Sequence, residues 1–161
     1  MKRYLFTLSL FFCVIAASGQ SIGLIDLTNL TVLNGDQAND YFVAGKTFKL
    51  QYGEDVNGFL VKHYQTNSKA FKTETVLTGA GYKTANGSKL YTVSYVTNYP
   101  QNVLNLIGQA VKAGLKLSFQ GVDEVNNIYI YDNFLYHVVM KIGLNQNSGV
   151  IDITQKEVFV Q

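Results

Sequence analysis

The strongest pattern along the chain is alternation with a period of two. Phe48, Leu50 and Tyr52 alternate with Thr47, Lys49 and Gln51. Tyr91, Val93 and Tyr95 alternate with Thr92, Ser94 and Val96, and Leu115, Leu117 and Phe119 alternate with Lys116 and Ser118. Successive side chains of a strand point to opposite faces, so this pattern predicts strands packed on one face and wet on the other. Further strands are expected at Ile128–Tyr131, Phe134–Ile142, Val150–Ile153 and Val158–Val160.

Turn chemistry divides the strands. Asn86-Gly87 tolerates positive φ at both positions and predicts a hairpin from a strand near Tyr82 to one beginning at Lys89. Gly79 and Gly81 mark a bend or bulge just upstream. Asp132-Asn133 fits either a turn or a bulge in one long strand, and Asn145 to Gly149 reads as a loop.

Period 3.6 dominates in one place. Val103, Leu104, Ile107, Ala110 and Val111 recur at three-and-four spacing after Pro100, which suits a first helical turn, and before Gly114, which suits a left-handed stop. This predicts a main helix near 100–113, with a packing reason for the costly Gly108 inside it. A short second helix is expected near 36–44. The fold class is therefore β-rich α+β: a mostly antiparallel sheet, curved or closed into a small barrel, with one main helix.

Two stretches carry nearly the same phrase. Ala44–Gly58 and Ala113–Asn127 align without a gap at an offset of 69, placing Glu54 on Asp123 and Asp55 on Glu124. Each reads as a helix stop, an alternating strand, an acidic turn and an apolar strand. Internal duplication and ordinary hairpin composition both account for that likeness.

The amino terminus changes the picture of length. Lys2 and Arg3 precede an apolar run from Tyr4 to Ala17, followed by Ser18-Gly19. This describes a secretory signal peptide over residues 1–19, leaving one β-rich domain over 20–161. The run is too short for a membrane span of ~20 apolar residues, so no stable span is expected after processing. Cys13, the sole cysteine, falls inside the signal, and the mature domain is disulfide-free. Removing Lys2 and Arg3 turns 13 basic and 11 acidic residues into 11 of each. A balanced chain whose only arginine is Arg3 is poorly suited to nucleic acid. Abundant Asn, Lys and Tyr with almost no Arg fits an AT-rich bacterial gene.

Candidate chemistry is sparse. No Gly-x-Ser-x-Gly elbow occurs, and two histidines, His63 and His137, are too few for a zinc site of three or four ligands. The acidic turns offer Glu54, Asp55, Asp123 and Glu124 as calcium ligands if the turns lie side by side; solvated turn tips are the expected alternative. Tyr91 with Tyr95, and Tyr129 with Tyr131, form pairs two residues apart that suit a recognition surface, although tyrosine also favours sheets for its own sake. No cofactor is implied. The expected function is an exported, non-enzymatic binding or interaction module, periplasmic or extracellular, whose partner is a protein, a glycan or an apolar small molecule. The alternative is a small secreted enzyme using His63 or His137 with a nearby carboxylate. The spacing of the two histidines decides whether they share a site.

Overall fold

The computed structural model describes residues 21–66 and 73–158. The expected signal peptide at 1–19, with Cys13, lies outside them, as do the last two residues of the expected strand Val158–Val160. Eight strands form one antiparallel sheet: β1 (Phe48–Val56), β2 (Phe59–Thr66), β3 (Glu74–Lys83), β4 (Lys89–Thr97), β5 (Lys116–Val122), β6 (Asn126–Asp132), β7 (Tyr136–Gly143) and β8 (Gly149–Gln155). Their order is β1-β2-β3-β4-β8-β7-β6-β5. The sheet is open, with β1 and β5 at its edges, so the barrel alternative and a ligand enclosed within it are not realised.

Each half is a meander of antiparallel neighbours, and every connection within it except that between β2 and β3 is a turn of two to five residues. The Asn86-Gly87 turn joins β3 to β4, with Gly87 at φ 86°. Asp132-Asn133 lies at a turn rather than in a bulge: the Asn133 side chain accepts hydrogen bonds from the backbone N–H of Leu135 and Tyr136, and β7 starts at Tyr136. Gly79, at φ 86°, sits where the β3 register shifts between Leu77 and Ala80. A Cβ there would stand 2.2 Å from the Leu60 carbonyl oxygen.

Among the described residues three helices cover one face: α1 (Leu24–Leu30), α2 (Gly35–Gly45) and α3 (Gln101–Lys112). Asn34 caps α2 by accepting from the N–H of Asp36 and Gln37, while Gln37 reaches back to the Asn34 N–H. The left-handed residue that ends α2 is Lys46, at φ 55°, and not Gly45; Gly114 ends α3 at φ 79° as its sequence predicts. Helix α1 was not expected. Its Leu24, Leu27 and Leu30 are buried, and the Leu24 N–H donates to the Gln109 side chain on α3. The expected packing reason for Gly108 is absent, since a Cβ there would meet nothing within 4 Å.

The core lies between the helices and the sheet. Phe42 of α2 packs its ring 4.3 Å from Tyr64 and 5.2 Å from Phe48. Val103, Leu106 and Ala110 of α3 pack with Ile151, Ile153, Val138 and Met140. A buried polar group crosses this core: Tyr95 donates to Glu74 at 3.0 Å and accepts from the Asn102 side chain at 2.9 Å. Ser21 closes over Glu74 with a hydroxyl bond of 2.8 Å.

The ladder registers reveal an internal two-fold relation. In the first hairpin, Leu50 faces Tyr64, a bulge follows, and Tyr52 faces His63. In the β5–β6 hairpin, Leu117 faces Tyr131, a bulge follows, and Phe119 faces Ile130. The equivalence is therefore Leu50 with Leu117 and Tyr52 with Phe119, an offset of 67. The gapless alignment at 69 is two residues out of step. Two residues restore the face but not the bulge, so the acid-on-acid matches of that alignment are not structural equivalents. The relation continues inward: Tyr64 pairs with Val76 as Tyr131 pairs with Val138, and Val76 with Tyr95 as Val138 with Ile153. At the centre Tyr95 pairs with Ile151 and Val93 with Ile153, so the local dyad passes through the pair between them, Ser94 and Asp152.

Candidate functional site

The bulges decide what the uncovered face presents. An extra residue in one strand inverts the alternation beyond it. Phe48 and Leu50 lie on the helix side, but the bulge at Gln51 transfers Tyr52 to the other face, beside His63. The bulge at Ser118 does the same for Phe119. Simple alternation would have put both aromatic rings under the helices.

A continuous row results. Tyr52, His63, Leu77, Ser94, Asp152, Val139, Ile130 and Phe119 are successive cross-strand partners across all eight strands. No residue of the row is buried, and among the described residues no helix packs over it. Tyr52 and Phe119 end it, 54% and 50% exposed. At its middle the Ser94 hydroxyl donates to Asp152 at 2.6 Å, on the dyad.

Each histidine lies on this face with a carboxylate. His63 Nε2 stands 2.8 Å from Glu54 Oε1, and its ring stacks on Tyr52 with centroids 4.2 Å apart. His137 Nδ1 stands 3.0 Å from Asp132 Oδ1. Asp132 also accepts from Lys156 Nζ at 2.6 Å and from the Ser118 hydroxyl. Partial desolvation opposes its ionisation, but the bonds from Lys156, Ser118 and His137 outweigh that and hold the carboxyl well below the usual carboxylate range. The histidines occupy β2 and β7, four strand steps apart, which is about 19 Å at the usual strand spacing. They do not share a site. Ser118 donates to Asp132, so the hydroxyl beside the His137 pair is hydrogen-bonded to the acid and not to the imidazole.

The expected tyrosines separate. Tyr95 is fully buried, its hydroxyl held between Glu74 and Asn102, and burial with the nearby Glu74 pushes its ionisation far upward. Tyr131 is buried in the core. Tyr91 is half-buried on the helix side, edge-on to Phe59 at 6.3 Å. Tyr129 is half-buried and lines a cleft of about 440 Å³ beside the first turn of α3. The four do not form one surface. Period-two spacing shows which residues share a face of a strand, but not which face the helices cover.

The acidic turns are likewise apart. Glu54 and Asp55 belong to edge strand β1, whereas Asp123 and Glu124 follow edge strand β5, seven strand steps away. Asp55 accepts from the Gly58 N–H. Asp123 accepts from the N–H of Val125 and Asn126, and these bonds, Val125 foremost, hold its carboxyl below the usual range. The two turns are not brought side by side, and among the described residues no three His, Cys, Asp or Glu side chains converge as metal ligands do. No described helix is long and apolar enough to cross a membrane.

The uncovered row is what sequence reading missed. Its signal was present in part, since Tyr52 and Phe119 each close an alternating run, but the β4–β8 pairing that completes the row joins residues 58 positions apart. In comparisons with protein-family models, with curated proteins and with solved structures, nothing matches this chain.

Proposed function

We propose that the mature chain is an exported, non-enzymatic binding module of a bacterial envelope or secretome, and that it holds a protein partner on the helix-free face of its sheet. The observation that carries this reading is the unburied row from Tyr52 to Phe119. Seven strand spacings by seven residues give a face of roughly 34 Å by 23 Å, close to the ~800 Å² that each partner contributes to a standard interface. Exposed aromatic rings at both ends are the residue type that dominates interface energetics. The polar Ser94–Asp152 pair at the centre and the unequal histidine pairs to either side fix one orientation of a partner on an otherwise two-fold frame. Export rests on the amino-terminal signal pattern of residues 1–19.

The test is photo-crosslinking in the producing cell. A benzophenone side chain at position 52 or 119 should capture the same partner, while one at Ile25, exposed on α1 at the helix side, should not. Capture from position 25 alone would overturn the face assignment. Amino-terminal sequencing of the recovered protein should begin at Gln20.

The enzyme alternative keeps one specific support, the two histidine–carboxylate pairs. Each sits on an open sheet face, and a water or substrate proton within reach of a histidine is what general-base work needs. Loss of a turnover on replacing His63 or His137 would favour it.

A further inference from the structure

The cleft beside α3 is chemically unlike the sheet face. We propose that it is a binding site for a neutral oligosaccharide, separate from the protein-binding face and independent of that reading. Four carboxamides, Asn98, Gln101, Asn127 and Gln146, and two phenols, Tyr99 and Tyr129, line it, and among the described residues no charged or histidine side chain does. Its volume of about 440 Å³ falls within the range of small-molecule sites.

The chemistry selects the ligand class. A sugar hydroxyl both donates and accepts, and a carboxamide offers both functions on one rigid group. An anion would need a cationic partner or several converging N–H groups, and the lining holds no cation. A wholly apolar ligand would strand the amides without partners, and each buried amide left unpaired weakens binding. Pyranose rings carry an apolar C–H face and a polar rim, which match a tyrosine ring flanked by amides. Leu104 and Ile142 supply the apolar part of the wall.

The protein leaves part of this hydrogen-bonding capacity unspent. Among the described residues the side chains of Asn127 and Gln146 and the Tyr129 hydroxyl make no hydrogen bond within the chain. Gln146 is held in the left-handed region at φ 57°, where its N–H bonds to the Gly143 carbonyl at 2.8 Å. A non-glycine residue in that conformation carries strain, and the turn that holds it sets the rim of the cleft.

The experiment is titration of the mature protein with maltotriose, cellotriose, xylotriose and chitotriose, read by saturation-transfer NMR, followed by a glycan array. At least one neutral oligosaccharide should bind saturably. Asn127→Ala and Tyr129→Phe should each lower its affinity at least tenfold with the circular dichroism spectrum unchanged, and Phe119→Ala should leave it unchanged. Because Tyr129 also touches the core, Gln146→Gly provides a second variant that relieves backbone strain while removing the amide; it should weaken binding yet keep or raise the melting temperature. Absence of binding across the array overturns the proposal. So does a preference for acidic glycans, binding of peptides at these residues in place of sugars, or sugar binding that the cleft variants do not alter. Failure here leaves the crosslinking result at positions 52 and 119 untouched, so the two readings fail separately.

Discussion

Strands β1 to β4 with α2, and strands β5 to β8 with α3, are built to one ladder register but carry different side chains on it. On the helix side most equivalents match in kind: Tyr64 with Tyr131, Val76 with Val138, Phe48 with Leu115, all buried, with Tyr95 and Ile153 the exception. On the uncovered side Tyr52 with Phe119 and Leu77 with Val139 stay alike, but His63 with Ile130 and Ser94 with Asp152 diverge. Packing against helices restricts size and polarity, because voids and unpaired polar atoms are costly at a buried site. The open face obeys no such restriction, so its asymmetry is where a partner can be specified.

The largest test of this comparison concerns Gly79. The first half needs a positive φ and a bare Cα there, whereas β7 runs through the equivalent region with unbroken register. Gly79→Ala would combine backbone strain with a contact of 2.2 Å to a carbonyl oxygen. It should destabilise the fold by about 3 kcal/mol or more in urea unfolding. A cost under ~1 kcal/mol would show that the bulge relaxes freely and that the halves are more alike than the register indicates.

Tyr95 and Ile153 are equivalents with unequal roles. Removing the hydroxyl in Tyr95→Phe leaves buried Glu74 and Asn102 each short of a partner and should cost about 1–3 kcal/mol by the same measurement. An unchanged unfolding midpoint would mean that the network contributes nothing to joining α3 to the first half.

A smaller effect is expected at Asp132, which ties β5, β7 and the segment after β8 through Ser118, His137 and Lys156 in the second half alone. Asp132→Asn should cost about 1 kcal/mol at pH 7, as expected of a partly solvated pair. The sign with pH is fixed by the depressed carboxyl. Its stabilisation is complete above the unfolded aspartate value near ~3.9 and is lost as pH falls through the lower folded value. The parent protein should therefore lose stability on acidification below about pH 4 more steeply than the variant, and parallel profiles would contradict the assignment.

The helix stops give the smallest difference. Lys46 ends α2 in the left-handed region and Gly114 ends α3 there. Lys46→Gly should stabilise by about 0.5–1 kcal/mol and Gly114→Ala should destabilise by a similar amount, both read as shifts in melting temperature.

These positions also show how far sequence carries. Asn86-Gly87, and Pro100 with Gly114, were legible because local backbone chemistry alone dictates a hairpin and the two ends of a helix. Helix α1 was not: seven residues behind a glycine N-cap supply too short a period, and Leu24, Leu27 and Leu30 are helical because they pack on the sheet and α3. The repeated phrase was legible as a likeness but misaligned, since bulges at Gln51 and Ser118 set the register and leave no compositional mark. The uncovered row was illegible for the same reason, compounded by the long-range pairing of Ser94 with Asp152. The histidine pairs fall between, because each residue was visible and the choice of face was not.

The central claim is that the helix-free face, and not the helix side, holds the partner. It is tested most directly by isothermal titration of the crosslinked partner, once purified, against four forms of the mature protein: the parent, Tyr52→Ala, Phe119→Ala and Ile25→Ser. Each aromatic replacement should lower affinity at least tenfold while Ile25→Ser leaves it within twofold, with all four melting cooperatively. Full affinity in both aromatic variants, or loss confined to Ile25→Ser, would contradict the account.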